Sequence, residues 1–419
     1  MIKKFSIFGL IVSLFLVLLS PGLVQAQSGL TVLDSSAEAE FPSKLHFNLS
    51  AESDVNITGV RLHYAVDRES YAEVTSEVYI DFVPDTSIDV QWSLDMRKTG
   101  GLPPRSSVRY WWTVEDVDGN KIESAPVRVR FDDNRYSWQS LTEGRVSIYW
   151  YEGERSFVDE IMSTAQQALA RLFEDTGAYP KKPVKIYVYA DARDLQGAMI
   201  FPKEWTGGVA FTRYGIIAIG IAPDALSWGK RAIAHELTHL VIHQMTLNPY
   251  TRLPTWLDEG LAMYTEGELG AGFTAYLKRA IAEDSLISVR SLSSPFSARA
   301  EESYLSYAES YSLVEFLISS YGQGRMLELL TTFSQGSSYD GALEKVYGFD
   351  MDGLDTLWRD YVSRQYQEAE VTTAVVSPAR PSEGKGVHPA LIATLAVLAT
   401  ALLLVLGLAA ESWAWRRGW

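Results

Sequence analysis

Three of the six histidines in this 419-residue chain, His235, His239 and His243, fall within one nine-residue stretch. No other feature constrains the fold as strongly. His235 and His239 are four apart in a segment whose apolar residues Ile233, Ala234, Leu237, Leu240 and Val241 recur with helical period. Positions i and i+4 share a helix face, so two neutral imidazoles can reach one ion from adjacent turns. Glu236 stands about 100° round the helix from His235, beside the position left open to water. Water is a poor nucleophile near neutral pH. A Zn²⁺ ion lowers its pKa towards about 7, and an adjacent carboxylate can take its proton and pass it to a leaving amine.

Such a site needs a third ligand, and three candidates compete. His243 lies one further turn along, about 12 Å from His235 at 1.5 Å per residue, too far to share the ion, and is read as a flanking histidine. A histidine six residues after His239 is absent, because Met245 stands there. The third candidate is acidic. After the turns Asn248-Pro249-Tyr250 and Leu253-Pro254 comes Trp256-Leu257-Asp258-Glu259-Gly260-Leu261-Ala262, which opens a second helix. Glu259 entering from there completes a His₂Glu set with one open position, the catalytic rather than the structural form. Asp258 is its close rival. The two point about 100° apart, so only one of them faces the ion.

The rest of the chain frames this segment. Lys3 and Lys4, the apolar run Phe5–Leu19 and Val24-Gln25-Ala26 form a signal-peptide pattern over residues 1–26. Pro389–Ala410 carries no charge and is long enough for a single transmembrane helix; Arg416 and Arg417 follow it in a cytoplasmic tail, 411–419. Residues 366–388, rich in Pro, Gly and Ser towards their end, read as a flexible tether. Residues 28–133 carry short β-branched and aromatic runs: Leu45–Leu49, Val60–Ala65, Val78–Val83 and Ile88–Leu94. A hairpin follows, with Val108, Tyr110, Trp112 and Val114 alternating before Asp118-Gly119-Asn120. This predicts an all-β immunoglobulin- or fibronectin-like sandwich. Residues 140–365 read as α+β: strands at Val146–Tyr151, Pro183–Ala190 and Val209–Ile221, a helix at Phe157–Glu174, then helices from Ser227 onward. The net charge of −15 argues against nucleic acid as partner. The absence of cysteine excludes disulfides, thiolate metal sites and a cysteine nucleophile, and in an exported chain favours a bacterial surface.

His235-Glu236-Leu237-Thr238-His239 together with Trp256-Leu257-Asp258-Glu259-Gly260-Leu261-Ala262 resembles the gluzincin metallopeptidases, most closely the bacterial peptidase MA-like family. The resemblance covers about residues 140–365. It implies a thermolysin-like domain with Zn²⁺ on His235, His239 and Glu259, and Glu236 as catalytic base. It extends through Tyr307-Ala308-Glu309-Ser310-Tyr311, similar to the helix on which aminopeptidase-type gluzincins carry a transition-state tyrosine, which places that role on Tyr307. The three- and four-residue spacing of Tyr304, Tyr307 and Tyr311 by itself indicates core packing. Glu266, seven residues after Glu259, is read as a solvated helix acid, with orientation of a zinc histidine as the other reading. Aminopeptidases of this clan carry a Gly-x-Met-Glu-Asn segment that holds the substrate amine. Gly207-Gly208-Val209-Ala210-Phe211 has no such acid, which favours internal cleavage. The expectation is therefore a membrane-anchored extracellular zinc endopeptidase acting on peptides or proteins. The rivals are an inactive binding or adhesion protein on a degenerate protease fold, and a zinc hydrolase of non-peptide bonds.

Overall fold

A computed structural model describes residues 29–202, 206–297 and 299–376. The expected signal peptide, the transmembrane segment 389–410, the tail and residues 377–388 of the tether lie outside the described residues. No helix among the described residues is long and apolar enough to cross a membrane.

Strands β1 (Thr31–Glu40), β2 (Lys44–Val66), β3 (Ser76–Tyr79), β4 (Asp85–Asp95), β5 (Ser106–Asp116), β6 (Lys121–Glu123) and β7 (Val127–Phe131) form one seven-stranded sheet. The sequence suggests two short strands, Leu45–Leu49 and Val60–Ala65, parted by polar residues. The structure joins them into the single strand β2. Its first half pairs with β4, from Lys44↔Asp95 to Glu52↔Ser87; its second half pairs with β5, from Gly59↔Glu115 to Val66↔Val108. Between Glu52 and Ile57 the register shifts and the chain folds back, so that the Phe47 ring of the first half lies 6.1 Å from the Tyr64 ring of the second. Leu45, Phe47, Leu49, Val60 and Leu62 of β2 then share one core with Ile88 and Leu94 of β4 and Val108, Tyr110, Trp112 and Val114 of β5. An immunoglobulin- or fibronectin-like sandwich has two separately bonded sheets. Here the first half of β2 bonds β1 and β4, its second half bonds β3 and β5, and β5 bonds β6 and β7; the two groups pack face to face, with the Phe47 ring 6.1 Å from Tyr64 and 5.0 Å from Tyr110, and β2 runs continuously between them. The return strand of the last hairpin is also split into β6 and β7, because Pro126 between them offers no N–H to the ladder.

The second sheet contains β8 (Gln139–Glu143), β9 (Val146–Trp150), β10 (Val184–Tyr189), β11 (Gly208–Phe211) and β12 (Ile216–Gly220), in the order β11-β12-β10-β9-β8. β9, β10 and β12 are parallel, and the outer two strands are antiparallel to their neighbours. Helix α1 (Arg155–Thr176) makes the crossover from β9 to β10, and the short α2 (Ala192–Gln196) follows β10. On one face, Ile148, Ile186, Val188, Ile217 and Ile219 pack against α1 and against the helix that carries the histidines. The other face is aromatic. Tyr149 stacks on Tyr187 at 4.7 Å and Tyr136 on Tyr151 at 3.9 Å, and Phe41 and Tyr214 join this cluster to the first sheet.

Helices fill the remainder: α3 (Leu226–Thr246), α4 (Thr255–Glu266), α5 (Ala271–Ala282), α6 (Val289–Leu292), α7 (Ala300–Ser334), α8 (Tyr339–Tyr347) and α9 (Met351–Val376). This sheet-then-helices order is the α+β arrangement read from the sequence. α7 breaks at Gly322, whose φ of 78° and ψ of 172° are not helical. α9 continues past Gln365, beyond which the tether was expected to begin, and reaches Val376.

Candidate metal centre

α3 presents His235 and His239 one turn apart, and their Nε2 atoms lie 3.1 Å from each other. Pro254 gives α4 an extended entry, and α4 brings Glu259 to the same point. Glu259 Oε2 stands 3.5 Å from His235 Nε2 and 3.6 Å from His239 Nε2. Ligands held at about 2.0–2.1 Å in a tetrahedron stand about 3.3 Å apart, so the three donors already have the spacing that one Zn²⁺ requires. Glu259 Oε2 is buried without a hydrogen-bond partner.

The outer nitrogens settle what the inner ones offer. His235 Nδ1 lies 2.8 Å from Glu266 Oε1, and His239 Nδ1 lies 2.9 Å from Asp258 Oδ1. A carboxylate opposite Nδ1 places the ring hydrogen there and leaves a lone pair on Nε2. Two lone pairs and a carboxylate oxygen thus converge on one point, an arrangement that calls for a cation. The residues fit a metal.

Electrostatics agree. Burial would lower both imidazoles, but the carboxylates of Glu259 and Glu266 raise His235 to about 9, and Asp258 with Glu259 holds His239 well above its ordinary value. Burial would raise the two acids, yet the imidazoles hold Asp258 well below the usual carboxylate range and Glu259 at about 2. This field attracts positive charge.

Asp258, the rival ligand, has a different task. Its Oδ1 faces His239 and its Oδ2 lies 2.8 Å from His243 Nε2, so it braces one histidine and is itself held by another. Glu266 is not the solvated acid expected. Its side chain is 11% exposed, and it faces both His235 and Arg231 Nε, the latter at 3.0 Å. The sequence carries Asp258 next to Glu259 and Glu266 two helical turns beyond it, but pairing them with a histidine needs the crossing of α3 and α4.

That crossing depends on a third helix. A Cβ on Gly260 would lie 2.3 Å from the Ser310 carbonyl oxygen and 2.8 Å from Val314 Cγ2. α4 and α7 therefore meet backbone to backbone, which delivers Glu259 and Tyr307 to one place. Burial raises the Tyr307 phenol, and the charges of Glu259, Glu236 and Glu266 raise it further. Tyr311 turns away and packs against Tyr264 at 5.6 Å. Glu236 faces the edge strand, where a Cβ on Gly208 would lie 3.3 Å from its Oε1.

Residues 164–364, which contain every one of these groups, match the Peptidase MA superfamily. This segment belongs to that superfamily. The match supports a metallopeptidase in general terms. None of the curated proteins matches the chain. Solved structures share partial similarity. One is an aminopeptidase N family protein from Idiomarina loihiensis, 12% identical over 75% of this chain and 73% of its own, TM-score 0.37. Another is aminopeptidase A from Legionella pneumophila in complex with aspartic acid, 11% identical over 79% and 50%, TM-score 0.33. A third is catalytically inactive OgpA from Akkermansia muciniphila in complex with an O-glycopeptide, 11% identical over 26% and 30%, TM-score 0.20. The chain spans only about a third and about half of the last and the second of these. The assignment of the peptidase MA region rests on the sequence match.

Proposed function

We propose that this chain is a zinc-dependent endopeptidase, held at the outer face of a bacterial membrane by residues 389–410. The observation that carries the reading is the convergence of His235 Nε2, His239 Nε2 and Glu259 Oε2 beside Glu236. A Zn²⁺ on these three residues supplies Lewis acidity and lowers the pKa of water. Glu236 accepts the proton of the attacking water and returns it to the leaving amine as the C–N bond breaks. The Tyr307 phenol, kept protonated by burial and neighbouring carboxylates, donates a hydrogen bond to the carbonyl oxygen as charge develops there. Glu266 and Asp258 hold the two imidazoles in register. The substrate lies extended along β11, which is the end strand of its sheet and has an open edge beside Glu236. The absence of an acid in Gly207–Phe211 leaves nothing there to hold a free amine and favours internal bonds. The test is to incubate the purified chain with a peptide library, with and without a chelator. Internal cleavage that stops with chelator and returns with zinc supports the reading; trimming of free N-termini alone, or activity untouched by the chelator, overturns it.

A further inference from the structure

Where α3 meets the chain entering β11 stands an aromatic side chain that the chemistry above does not use. Trp228 lies in the first turn of α3 and is 48% exposed. It precedes His235 by seven residues, so it occupies the same helix face about 10 Å along the axis. The outer edge of its ring rests on Gly207. A Cβ there would lie 2.7 and 2.9 Å from two ring carbons. Gly207 is not free to move away, because its carbonyl accepts a hydrogen bond from Gly220 N at 2.9 Å. The next residue, Gly208, borders Glu236. The indole therefore rests, half exposed, on the strand that leads to the reacting centre.

We infer that Trp228, seated on Gly207, forms a side-chain subsite for a large apolar or aromatic residue of an extended peptide. This rests on the peptidase reading and deepens it to substrate preference. A strand advances about 3.3 Å per residue, so the residue recognised lies within about three positions of the bond that is cut. Aromatic side chains gain from stacked or edge contacts with an indole that already has one edge fixed, and ordering the ring in advance removes part of the cost of binding. The two glycines have separate reasons: Gly207 admits the ring, and Gly208 admits the Glu236 carboxylate.

The test separates recognition from catalysis. Peptides with Phe or Ala scanned through each position are titrated, by fluorescence anisotropy, against zinc-loaded Glu236→Gln protein. They are then titrated against the same protein carrying Trp228→Ala or Gly207→Ala. Expected is a preference for Phe over Ala at one position, reduced about three- to tenfold by Trp228→Ala and also by Gly207→Ala, which pushes the ring off its seat. An unchanged profile in both variants, a preference for Lys or Arg at that position, or no peptide binding overturns the inference. Cleavage by the wild-type chain is scored separately, so failure of the peptidase reading shows as binding without turnover.

Discussion

The seven-stranded sheet and the α3–α4 crossing handle polar groups in opposite ways. In the sheet, His63 and Asp116 find partners nearby, and the buried atoms left unpaired, Trp112 Nε1 and Ser35 Oγ, carry no charge. His63 Nε2 lies 2.8 Å from Thr113 Oγ1, and Asp116 accepts from the backbone N–H groups of Asp118 and Asn120 in its own turn. At the crossing, Glu259 Oε2 and two imidazole lone pairs are left facing one another. An unpaired carboxylate oxygen facing two imidazole nitrogens is an arrangement that a cation completes. The comparison separates the residues that hold the chain together from those that give it chemistry, and substitutions can test the separation from either side.

The largest effect should come from Glu236→Gln. It keeps shape and cannot accept a proton, so turnover should fall by about 10²–10⁴ with zinc content and melting temperature unchanged. Substantial residual turnover would mean that another base acts. Tyr307→Phe should lower kcat and kcat/KM together by about 10²–10³. Tyr311→Phe, packed on Tyr264, should be near neutral; reversal of the pair would move the oxyanion donor one turn along α7. Asp258→Asn keeps the hydrogen-bonding shape but removes the charge facing His239, and zinc affinity measured by competition should fall about 10–100-fold. Equal affinity would reduce Asp258 to packing. From the other side, Trp112→Ala in the sheet core should cost about 3–5 kcal/mol of stability and leave zinc affinity unaltered in the folded protein.

A smaller effect comes from Glu309, fully buried on α7 with Oε1 accepting from Ile287 N at 3.1 Å and Oε2 unpaired. Burial raises its pKa to about 8, against about 4.3 in an unfolded chain. Between those values the folded state holds a proton that the unfolded state has released, so stability should fall as pH rises through that window. Glu309→Gln mimics the protonated acid and should flatten this slope in urea titrations at pH 5 and pH 8. An equal slope in both chains would assign the pH dependence elsewhere.

How much of this was legible in the sequence follows from the range of each signal. His235, Glu236 and His239 sit on one helix, and i, i+4 spacing is enough to place them. Glu259 was legible through its motif and helical offset. Asp258 and Glu266 were visible as residues, but their partners are set by a helix crossing, so the sequence offered a rival ligand and a solvated acid where the structure has two braces. Gly260 was legible as part of the motif, and its reason, a backbone contact with Ser310, was not. In the sheet, alternation found the buried face of β5. At Glu52–Asn56 the polar run marked the break between the two halves of β2, but not that strand pairing continues through it.

The shared strand β2 also bears on how the sheet comes apart. Its halves are bonded to different neighbours but bury their apolar residues in one core, where Phe47 lies 6.1 Å from Tyr64 and 5.0 Å from Tyr110, so neither half can open without exposing the core face of the other. The seven strands should then behave as one cooperative unit in native-state hydrogen exchange, with amides near Phe47 and near Leu62 exchanging through the same opening and with the same free energy.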